Sequence, residues 1–214
     1  MNKAEGAIAA LEPLSASVLW CRVATATPLH YQPGQYCMVA VGTTARAYSF
    51  ATLPGAPSTE WLIDTRPNGP ASRFFRQAHV GAPLSFTYPY GDFVVDPDAS
   101  RPLLYIAGGT GLAPIMAHLS WLTEQKSRRL IKLIVGHRSA DEVFWHDKLQ
   151  QLAATHQFSY QMYIGPFLDK LAEIKNLPEH TAYICGGAAM CTATAERLYQ
   201  LGASPANVHY ELFT

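Results

Sequence analysis

Residues 103–114 read LLYIAGGTGLAP, and this stretch decides the fold. An apolar run ends in a glycine-rich turn and an amphipathic segment follows at once, which predicts a buried strand, a tight turn and a helix start. Glycine lets the backbone approach a ligand closely, and a helix start offers unpaired N–H groups to an anion. We therefore expect a diphosphate site at Gly108, Gly109, Thr110 and Gly111. The alternative is a turn that merely requires glycine.

The same stretch differs from two familiar nucleotide motifs. It lacks the Lys-Ser/Thr pair that ends a P-loop, and Pro114 stands where the third glycine of Gly-x-Gly-x-x-Gly would follow Gly109. Proline suits the first helical position, because its missing N–H would have no partner there. We expect Pro114 to open the helix.

Strand and helix patterns alternate from this stretch onward. Such alternation predicts a parallel sheet covered by helices, and we assign residues 98–214 to a nucleotide-binding α/β domain. The predicted strands are 103–107, 130–135, 158–164, 181–185 and 208–213, and the predicted helices are 114–125, 141–154 and 189–201. Glycines follow three strands, at Gly108, Gly136 and Gly186, and we expect them to converge on one ligand at the carboxyl edge of the sheet.

Residues 1–97 follow a different pattern, in which proline and glycine break short runs of alternating apolar residues. The runs 17–24, 35–41, 47–52, 61–64 and 84–87 predict strands, and 71–77 predicts a helix. Closely spaced short strands predict an antiparallel Greek-key β-barrel, with a sandwich as the alternative. The polar, proline-bearing segment 96–102 predicts a domain boundary, which we place between residues 97 and 98.

Composition excludes several classes of protein. The 214 residues include 16 basic and 16 acidic side chains, so we expect no nucleic-acid partner. No segment approaches the roughly 20 apolar residues of a membrane span, and the N-terminus lacks a signal-peptide layout; we expect a cytoplasmic protein. The cysteine and histidine spacings match neither a plant-type iron–sulfur cluster nor a His-x-x-x-His pair, so we predict no metal site.

Seven motifs, in order over nearly the whole chain, resemble those of the ferredoxin–NADP reductase superfamily. They are Pro-Gly-Gln-Tyr at 33–36, Arg-Ala-Tyr-Ser at 46–49, Gly-Pro-Ala-Ser at 69–72, Tyr-Pro-Tyr-Gly-Asp-Phe at 88–93, Ala-Gly-Gly-Thr-Gly-Leu-Ala-Pro at 107–114, Cys-Gly-Gly-Ala-Ala-Met at 185–190 and Glu-Leu-Phe at 211–213. Tyr88 replaces a family glycine, and the two family prolines after Cys-Gly are missing. The resemblance implies a flavin-binding barrel followed by a nucleotide-binding domain.

The resemblance implies that the barrel binds FAD, with FMN as the less favoured alternative. Arg46 would bind phosphate, Tyr48 would stack on the isoalloxazine ring, and Ser49 would hydrogen-bond the ring near N5 and act in catalysis. The alternatives are a surface ion pair for Arg46, barrel packing for Tyr48 and an ordinary helix cap for Ser72. The residues assigned to this site are Arg46, Tyr48, Ser49, Arg66, Gly69 and Ser72.

The resemblance also implies that the second domain binds NAD(P)H. Cys185 would lie beside the nicotinamide C4, Glu211 would be a polar group near the flavin, and both are assigned as catalytic. Phe213 would cover the flavin ring. A buried, inert cysteine and a frayed terminus are the alternatives for Cys185 and Phe213. The dinucleotide-binding residues are assigned as Gly108, Gly109, Thr110, Gly111, Pro114, Gly136, Arg138, Gly186 and Met190.

Residues after the second α/β strand bear on the choice between NADH and NADPH. A 2′-phosphate needs basic partners, whereas a free ribose prefers a carboxylate. Arg138 is followed by Asp141 and Glu142 and has no second arginine beside it. The pattern favours NADH, although Arg138 could instead serve a phosphate or stack on adenine.

The resemblance implies an NAD(P)H-dependent flavoprotein oxidoreductase. Hydride would pass from the nicotinamide to FAD, and electrons would continue to a separate acceptor protein, such as a ferredoxin or an oxygenase component, because the chain has no cluster-binding cysteine pattern. Two alternatives remain open: a free-flavin or quinone reductase that binds flavin loosely, and an electron-relay subunit that does not turn over alone.

Overall fold

A computed structural model describes residues 1–96, 100–155 and 158–213. The chain divides into two compact units, of which the first comprises Met1–Val95 with Ala113–Glu124 and the second Asp96–Leu112 with Gln125–Thr214. The boundary expected between residues 97 and 98 falls outside the described residues and stays a prediction.

The first unit contains a curled antiparallel sheet. Its strands are β1 (Asn2–Pro13), β2 (Val18–Thr25), β3 (Tyr36–Val41), β4 (Thr44–Ser49), β5 (Ser58–Asp64) and β6 (Pro83–Tyr90), in the order β4-β3-β6-β1-β2-β5. The successive strands β2 and β3 are separated by β1 and β6, as in a Greek key. The backbone N–H of Ala51, just after β4, donates to the Glu60 carbonyl on β5 at 2.9 Å. The two edge strands therefore meet, and the predicted barrel is confirmed.

Aromatic side chains fill the barrel. Trp61, Phe75 and Phe86 are fully buried, and the rings of Trp61 and Phe86 meet edge to face at 5.3 Å. Truncating a buried aromatic of this kind to alanine typically costs about 3–5 kcal/mol. Phe75 comes from α1 (Pro70–Gln77), the helix between β5 and β6, so burial of this ring holds the helix against the barrel.

The sequence pattern does not predict β1. Of its 12 residues, all of them described, Ile8 alone is buried, and the pairing with β2 shifts register between Ile8 and Ala10. A bulge interrupts the apolar alternation by which strands are recognised. The strand is instead specified by its two neighbours, since β2 and β6 both pair with it.

The second unit contains a parallel sheet. Its strands are β7 (Leu103–Gly108), β8 (Ile131–His137), β9 (Phe158–Ile164), β10 (Thr181–Gly187) and β11 (Val208–Phe213), in the order β11-β10-β7-β8-β9. Strands β8 and β9 therefore follow on one side of β7, and β10 and β11 follow on the other side. This is the doubly wound order, in which ligands bind past the carboxyl ends of the two strands at the reversal, here β7 and β10. The predicted α/β fold is confirmed.

The helices begin at positions that differ from those predicted. A short 3-10 turn over Gly109–Gly111 leads into α2 (Leu112–Glu124), so Pro114 is the third helical residue and not the first; its missing N–H is still among those without an intrahelical partner. A 3-10 turn over Ala140–Glu142 precedes α3 (His146–Thr155), which starts five residues later than expected. The last helix is α4 (Ala188–Gln200).

Within the described residues, no helix combines the length and apolar character needed to cross a membrane.

Candidate functional site

The predicted glycine turns lie together at the carboxyl edge of the parallel sheet. Gly108 and Gly136 are register partners on β7 and β8, while Gly186 follows Cys185, the partner of Ala107. The structure thus places the three turns, which follow β7, β8 and β10, at the same edge of the sheet, as the order of strands and glycines predicts.

The glycines of this edge divide into two groups. A Cβ at Gly111 would overlap the Cys185 backbone carbonyl, and one at Gly136 would lie 2.7 Å from the Phe167 ring. These two glycines are required for packing within the unit. Gly109 has a φ of +53°, which favours glycine, and Gly187 has no atom within 4 Å of an added Cβ. Gly187 therefore leaves backbone open to a ligand, whereas Gly109 is required by its backbone conformation.

The start of α4 is suited to a phosphate group. Gly187 is its N-cap, with no side-chain cap among the described residues, and the first turn carries no acidic residue. Gly187, Ala188 and Ala189 are exposed. The first N–H groups of the helix therefore combine positive dipole character with small, accessible side chains, and an anion is favoured there.

Cys185 and Glu211 are brought together by pairing between β10 and β11. They are register partners, and the Cys185 thiol points at Glu211 Oε2 with an S–O distance of 4.0 Å. Burial raises the pKa of the Cys185 thiol well above its usual value, and the Glu211 carboxylate raises it further. The thiol is therefore neutral at pH 7. It can pack against a neutral ring and orient a carboxylate, but it is not a thiolate nucleophile.

The neighbouring residues fix this pair. The Cys191 thiol, from α4, donates to the Glu211 backbone carbonyl at 3.6 Å. Phe213 belongs to β11 and is the register partner of Gly187, so it is held in a strand and is not frayed. Sequence reasoning placed Phe213 near the site, but it did not foresee that the Cys191 thiol anchors the strand that carries Glu211.

Trp145 has an unusual backbone conformation that the sequence reasoning did not foresee. It lies between the loop after β8 and α3, has a φ of +56°, and has Lys148 Nζ 4.2 Å from its ring centroid. A bulky residue with positive φ is a genuine outlier, and such strain collects at functional sites. The aromatic itself is visible in the sequence, but its backbone conformation is not. Arg138 is exposed in the same loop.

In the first unit, Arg46 and Tyr48 are positioned by β4. Their register partners Val39 and Cys37 lie in the core, so both point to the inner face of the sheet. Arg46 is exposed at the rim, where Nη1 donates to the Ala45 carbonyl at 2.8 Å. An exposed guanidinium at the rim of an apolar barrel remains suited to phosphate.

Tyr48 is half-buried and lies among aromatic rings. Its ring stacks on Trp61 at 5.9 Å between centroids and meets Phe75 edge to face at 5.3 Å. Burial is the main cause that raises the pKa of Tyr48, so the phenol stays neutral. The neighbouring Ser49 is buried at the end of the strand, paired in register with Tyr36.

The start of α1 is basic and open. Gly69 is the N-cap and has no atom within 4 Å of an added Cβ. The hydroxyl of buried Ser72 donates to the Pro67 and Gly69 carbonyls, so it stabilises the turn that precedes the helix. Arg66 pairs with Asp64, with Nε–Oδ1 and Nη2–Oδ2 distances of 3.0 and 2.5 Å. The turn therefore offers amide donors beside a cation, which again suits phosphate.

The Pro-Gly-Gln-Tyr motif has a packing role in the structure. Gly34 has a φ of +97°, and a Cβ there would overlap the Phe93 carbonyl and the imidazole of His118 on α2. His118 is fully buried, with Nε2 2.9 Å from the Phe93 carbonyl oxygen. Only glycine fits this contact, which explains the motif without a ligand.

Comparison with known proteins agrees with this geometry. Residues 105–196 match the model of the oxidoreductase NAD-binding domain. The 2-halobenzoate 1,2-dioxygenase electron transfer component of Burkholderia cepacia is 32% identical over 202 residues, covering 86% of this chain and 59% of that protein. The toluate 1,2-dioxygenase electron transfer component of Pseudomonas putida is 33% identical over 226 residues, covering 98% of this chain and 67% of that protein. The chain thus spans less than two thirds of the length of the first of these relatives.

A solved structure shows the same fold over the whole chain. The flavohem-like FAD/NAD binding domain of nitric oxide dioxygenase from Vibrio cholerae superposes with a TM-score of 0.89 at 23% identity, and the match covers 98% of each chain. Together with the 33% identity to the toluate component over 67% of its length, these matches establish that the chain belongs to the ferredoxin–NADP reductase superfamily.

Proposed function

We propose that this chain is an NAD(P)H-dependent flavoprotein oxidoreductase that binds FAD in its first unit and NAD(P)H in its second. The observation that carries the proposal is the doubly wound sheet with open backbone at Gly187 close to Cys185, whose neutral thiol faces the Glu211 carboxylate. A diphosphate fits the uncapped start of α4, and the adjacent thiol offers an uncharged surface to a nicotinamide ring.

The first unit has a matching set of residues for the flavin. Tyr48 supplies an aromatic face, Arg46 an exposed guanidinium and the start of α1 amide donors beside Arg66. The bound flavin would accept hydride from the nicotinamide and release electrons singly, which is chemistry that side chains do not supply. The protein groups would hold and orient both cofactors, and buried Ser49 would offer a polar group at the end of β4.

We further propose that NADH is preferred over NADPH. The loop after β8 carries Arg138, followed by Asp141 and Glu142 in a short 3-10 turn. Two carboxylates beside one guanidinium disfavour an added 2′-phosphate and suit a free ribose. We expect the adenosine end to lie near Trp145, whose strained backbone presents a large aromatic ring beside this loop.

Electrons would leave the flavin for a separate acceptor protein. The relatives from Burkholderia cepacia and Pseudomonas putida are electron transfer components of a 2-halobenzoate 1,2-dioxygenase and a toluate 1,2-dioxygenase. We therefore propose a ferredoxin or an oxygenase component as the class of acceptor.

An anaerobic absorbance titration tests the proposal. We expect flavin bands in the purified protein that bleach on adding one equivalent of NADH, and that bleach more slowly with NADPH at equal concentration. Flavin bands that neither dinucleotide bleaches would refute the reductase assignment, and equal rates with both would refute the NADH preference.

A free-flavin or quinone reductase is the second candidate. It is favoured by the engagement of the Ser72 hydroxyl with the Pro67 and Gly69 carbonyls, which leaves phosphate binding at α1 to backbone N–H groups and arginines. Gel filtration separates the two candidates, since a tightly bound cofactor elutes with the protein, whereas a flavin substrate elutes separately and must be added for NADH oxidation.

A further inference from the structure

Met190 closes the gap between two glycines at the strand reversal. A Cβ added at Gly108 would lie 2.7 Å from Met190 Cε, and one added at Gly186 would lie 2.6 Å from the same methyl group. Both distances are well below the roughly 3.5–4 Å at which carbon atoms make contact. The methyl group therefore occupies the space that a side chain at either glycine would need, and it touches the ends of both β7 and β10.

A buried threonine holds this methionine. Thr194 lies one turn after Met190 on α4, is fully buried, and donates its hydroxyl hydrogen to Met190 Sδ at 3.4 Å. Methionine has three rotatable side-chain bonds and adapts readily to its surroundings, whereas threonine is stiff at χ1. The rigid donor therefore restricts the flexible acceptor, and the thioether methyl stays between the two glycines.

We propose that Thr194 is a positioning residue for the dinucleotide site and acts through Met190. The proposal rests on the function proposed above, because it takes the diphosphate and nicotinamide ribose of NAD(P)H as the ligand at this edge. With Met190 held in place, the turns that follow β7 and β10 keep a fixed separation before the ligand arrives. A site organised in advance loses less conformational freedom on binding, and its affinity is higher.

Thr194→Val tests this role, because valine keeps the branched shape and removes the hydroxyl. Binding is measured by titration calorimetry with NAD⁺, which does not react with the oxidised protein, and turnover is measured with NADH and ferricyanide. We expect the dissociation constant and KM to rise about threefold to tenfold, as loss of one hydrogen bond implies, while kcat changes by less than about twofold. Thr194→Ser keeps the hydroxyl donor and should bind NAD⁺ with an affinity close to that of the wild type.

Two controls separate positioning from general stability. Thr181→Val removes another buried threonine of the same unit, at the opposite end of β10, and should leave NAD⁺ affinity unchanged. In a Met190→Leu background the sulfur acceptor is absent, so Thr194→Val should have no further effect on affinity; this double-mutant cycle isolates the contact.

Three outcomes would overturn the proposal. Unchanged NAD⁺ affinity in Thr194→Val would show that the hydroxyl does not matter. A full effect of Thr194→Val in the Met190→Leu background would show that it does not act through the sulfur. Failure of the wild-type protein to bind either NAD⁺ or NADP⁺ would refute the proposed function itself, and the wild-type titration reveals this before any variant is compared.

Discussion

Arg46 and Tyr48 lie two residues apart on the same face of β4 but in different surroundings. Tyr48 is stacked on Trp61, whereas Arg46 is exposed and uses one N–H in its contact with the Ala45 carbonyl. A guanidinium carries five N–H donors in a planar fork. The tyrosine thus contributes to the barrel core with or without a ligand, whereas the arginine retains the donors that phosphate recognition needs.

Replacing Arg46 by alanine should therefore weaken flavin binding without unfolding the barrel. Loss of a charge-assisted phosphate contact of about 1.5–3 kcal/mol corresponds to a flavin dissociation constant roughly ten- to a hundredfold higher. The measurement is the ratio of flavin to protein absorbance after gel filtration. Arg22→Ala removes an exposed arginine from β2 and serves as the control; unchanged flavin content in Arg46→Ala would contradict the assignment.

Gly111 and Gly187 show that glycines at one edge of the sheet serve different purposes. An added Cβ would overlap the Cys185 carbonyl at Gly111, yet would meet no atom within 4 Å at Gly187, whose φ of −62° any residue can adopt. The first glycine is required by packing, and the second leaves space for a ligand.

Alanine substitutions at these two glycines should affect stability to different extents. Gly111→Ala is expected to lower the free energy of unfolding by about 1–3 kcal/mol through overpacking. Gly187→Ala should change it by less than about 1 kcal/mol, because the reduced freedom of the unfolded chain is offset by the loss of a favoured N-cap residue. Urea unfolding of both variants tests the contrast, and equal effects would refute the distinction between packed and open glycines.

Helix α2 is held to its unit by a buried imidazole. His118 stacks on the Phe93 ring at 5.3 Å between centroids and bonds the Phe93 carbonyl through Nε2. Burial lowers the pKa of His118 to about 4, against a smaller opposing effect of hydrogen bonds to the Phe93 and Pro33 carbonyls. The helix is therefore packed around a neutral histidine.

Stability should consequently fall in mild acid. The folded-state pKa of His118 lies below the unfolded value of about 6.5, so the unfolded state takes up the proton first as the pH falls. The contribution of His118 to stability is therefore fully present above pH 6.5 and is lost between pH 6.5 and 4. From pH 7.5 to 5 this group should remove about 2 kcal/mol from the free energy of unfolding. Urea titrations at the two pH values measure the loss.

Variants at two histidines identify the group responsible. His118→Gln keeps a side-chain donor for the Phe93 carbonyl but does not titrate, so its pH-dependent loss should be smaller than that of the wild type by about 2 kcal/mol. His30→Asn removes an exposed imidazole and should behave like the wild type. An undiminished loss in His118→Gln would show that another group is responsible.

At the scale of the whole molecule, the chain forms two units with different architectures. The first unit is an antiparallel barrel with an aromatic interior and a basic helix start; the second is a doubly wound parallel sheet with an open glycine, Gly187, at the reversal. The change from closely spaced strand patterns to alternating strands and helices was sufficient to predict both architectures, because each pattern matches one way of burying an apolar face.

Local pattern was less informative where an element depends on its neighbours. The strand β1 has one buried residue and a bulge, so no alternation of apolar and polar residues predicts it. Its pairing with β2 and β6 specifies the strand instead. The late start of α3 and the strained Trp145 before it likewise depend on backbone geometry that residue types do not encode.

The sequence by itself determined the two fold classes, the order of the glycine turns and the residues that gather at the strand reversal, because hydrophobic period and glycine position are local properties. Only the tertiary structure decided at which glycines the space for a side chain is occupied by other residues and at which it is open. It also decided that the Cys185 thiol faces Glu211 and that the Ser72 hydroxyl bonds backbone carbonyls of its own turn. Those outcomes depend on atoms distant in the chain that meet at ångström separations, and no local pattern specifies such contacts.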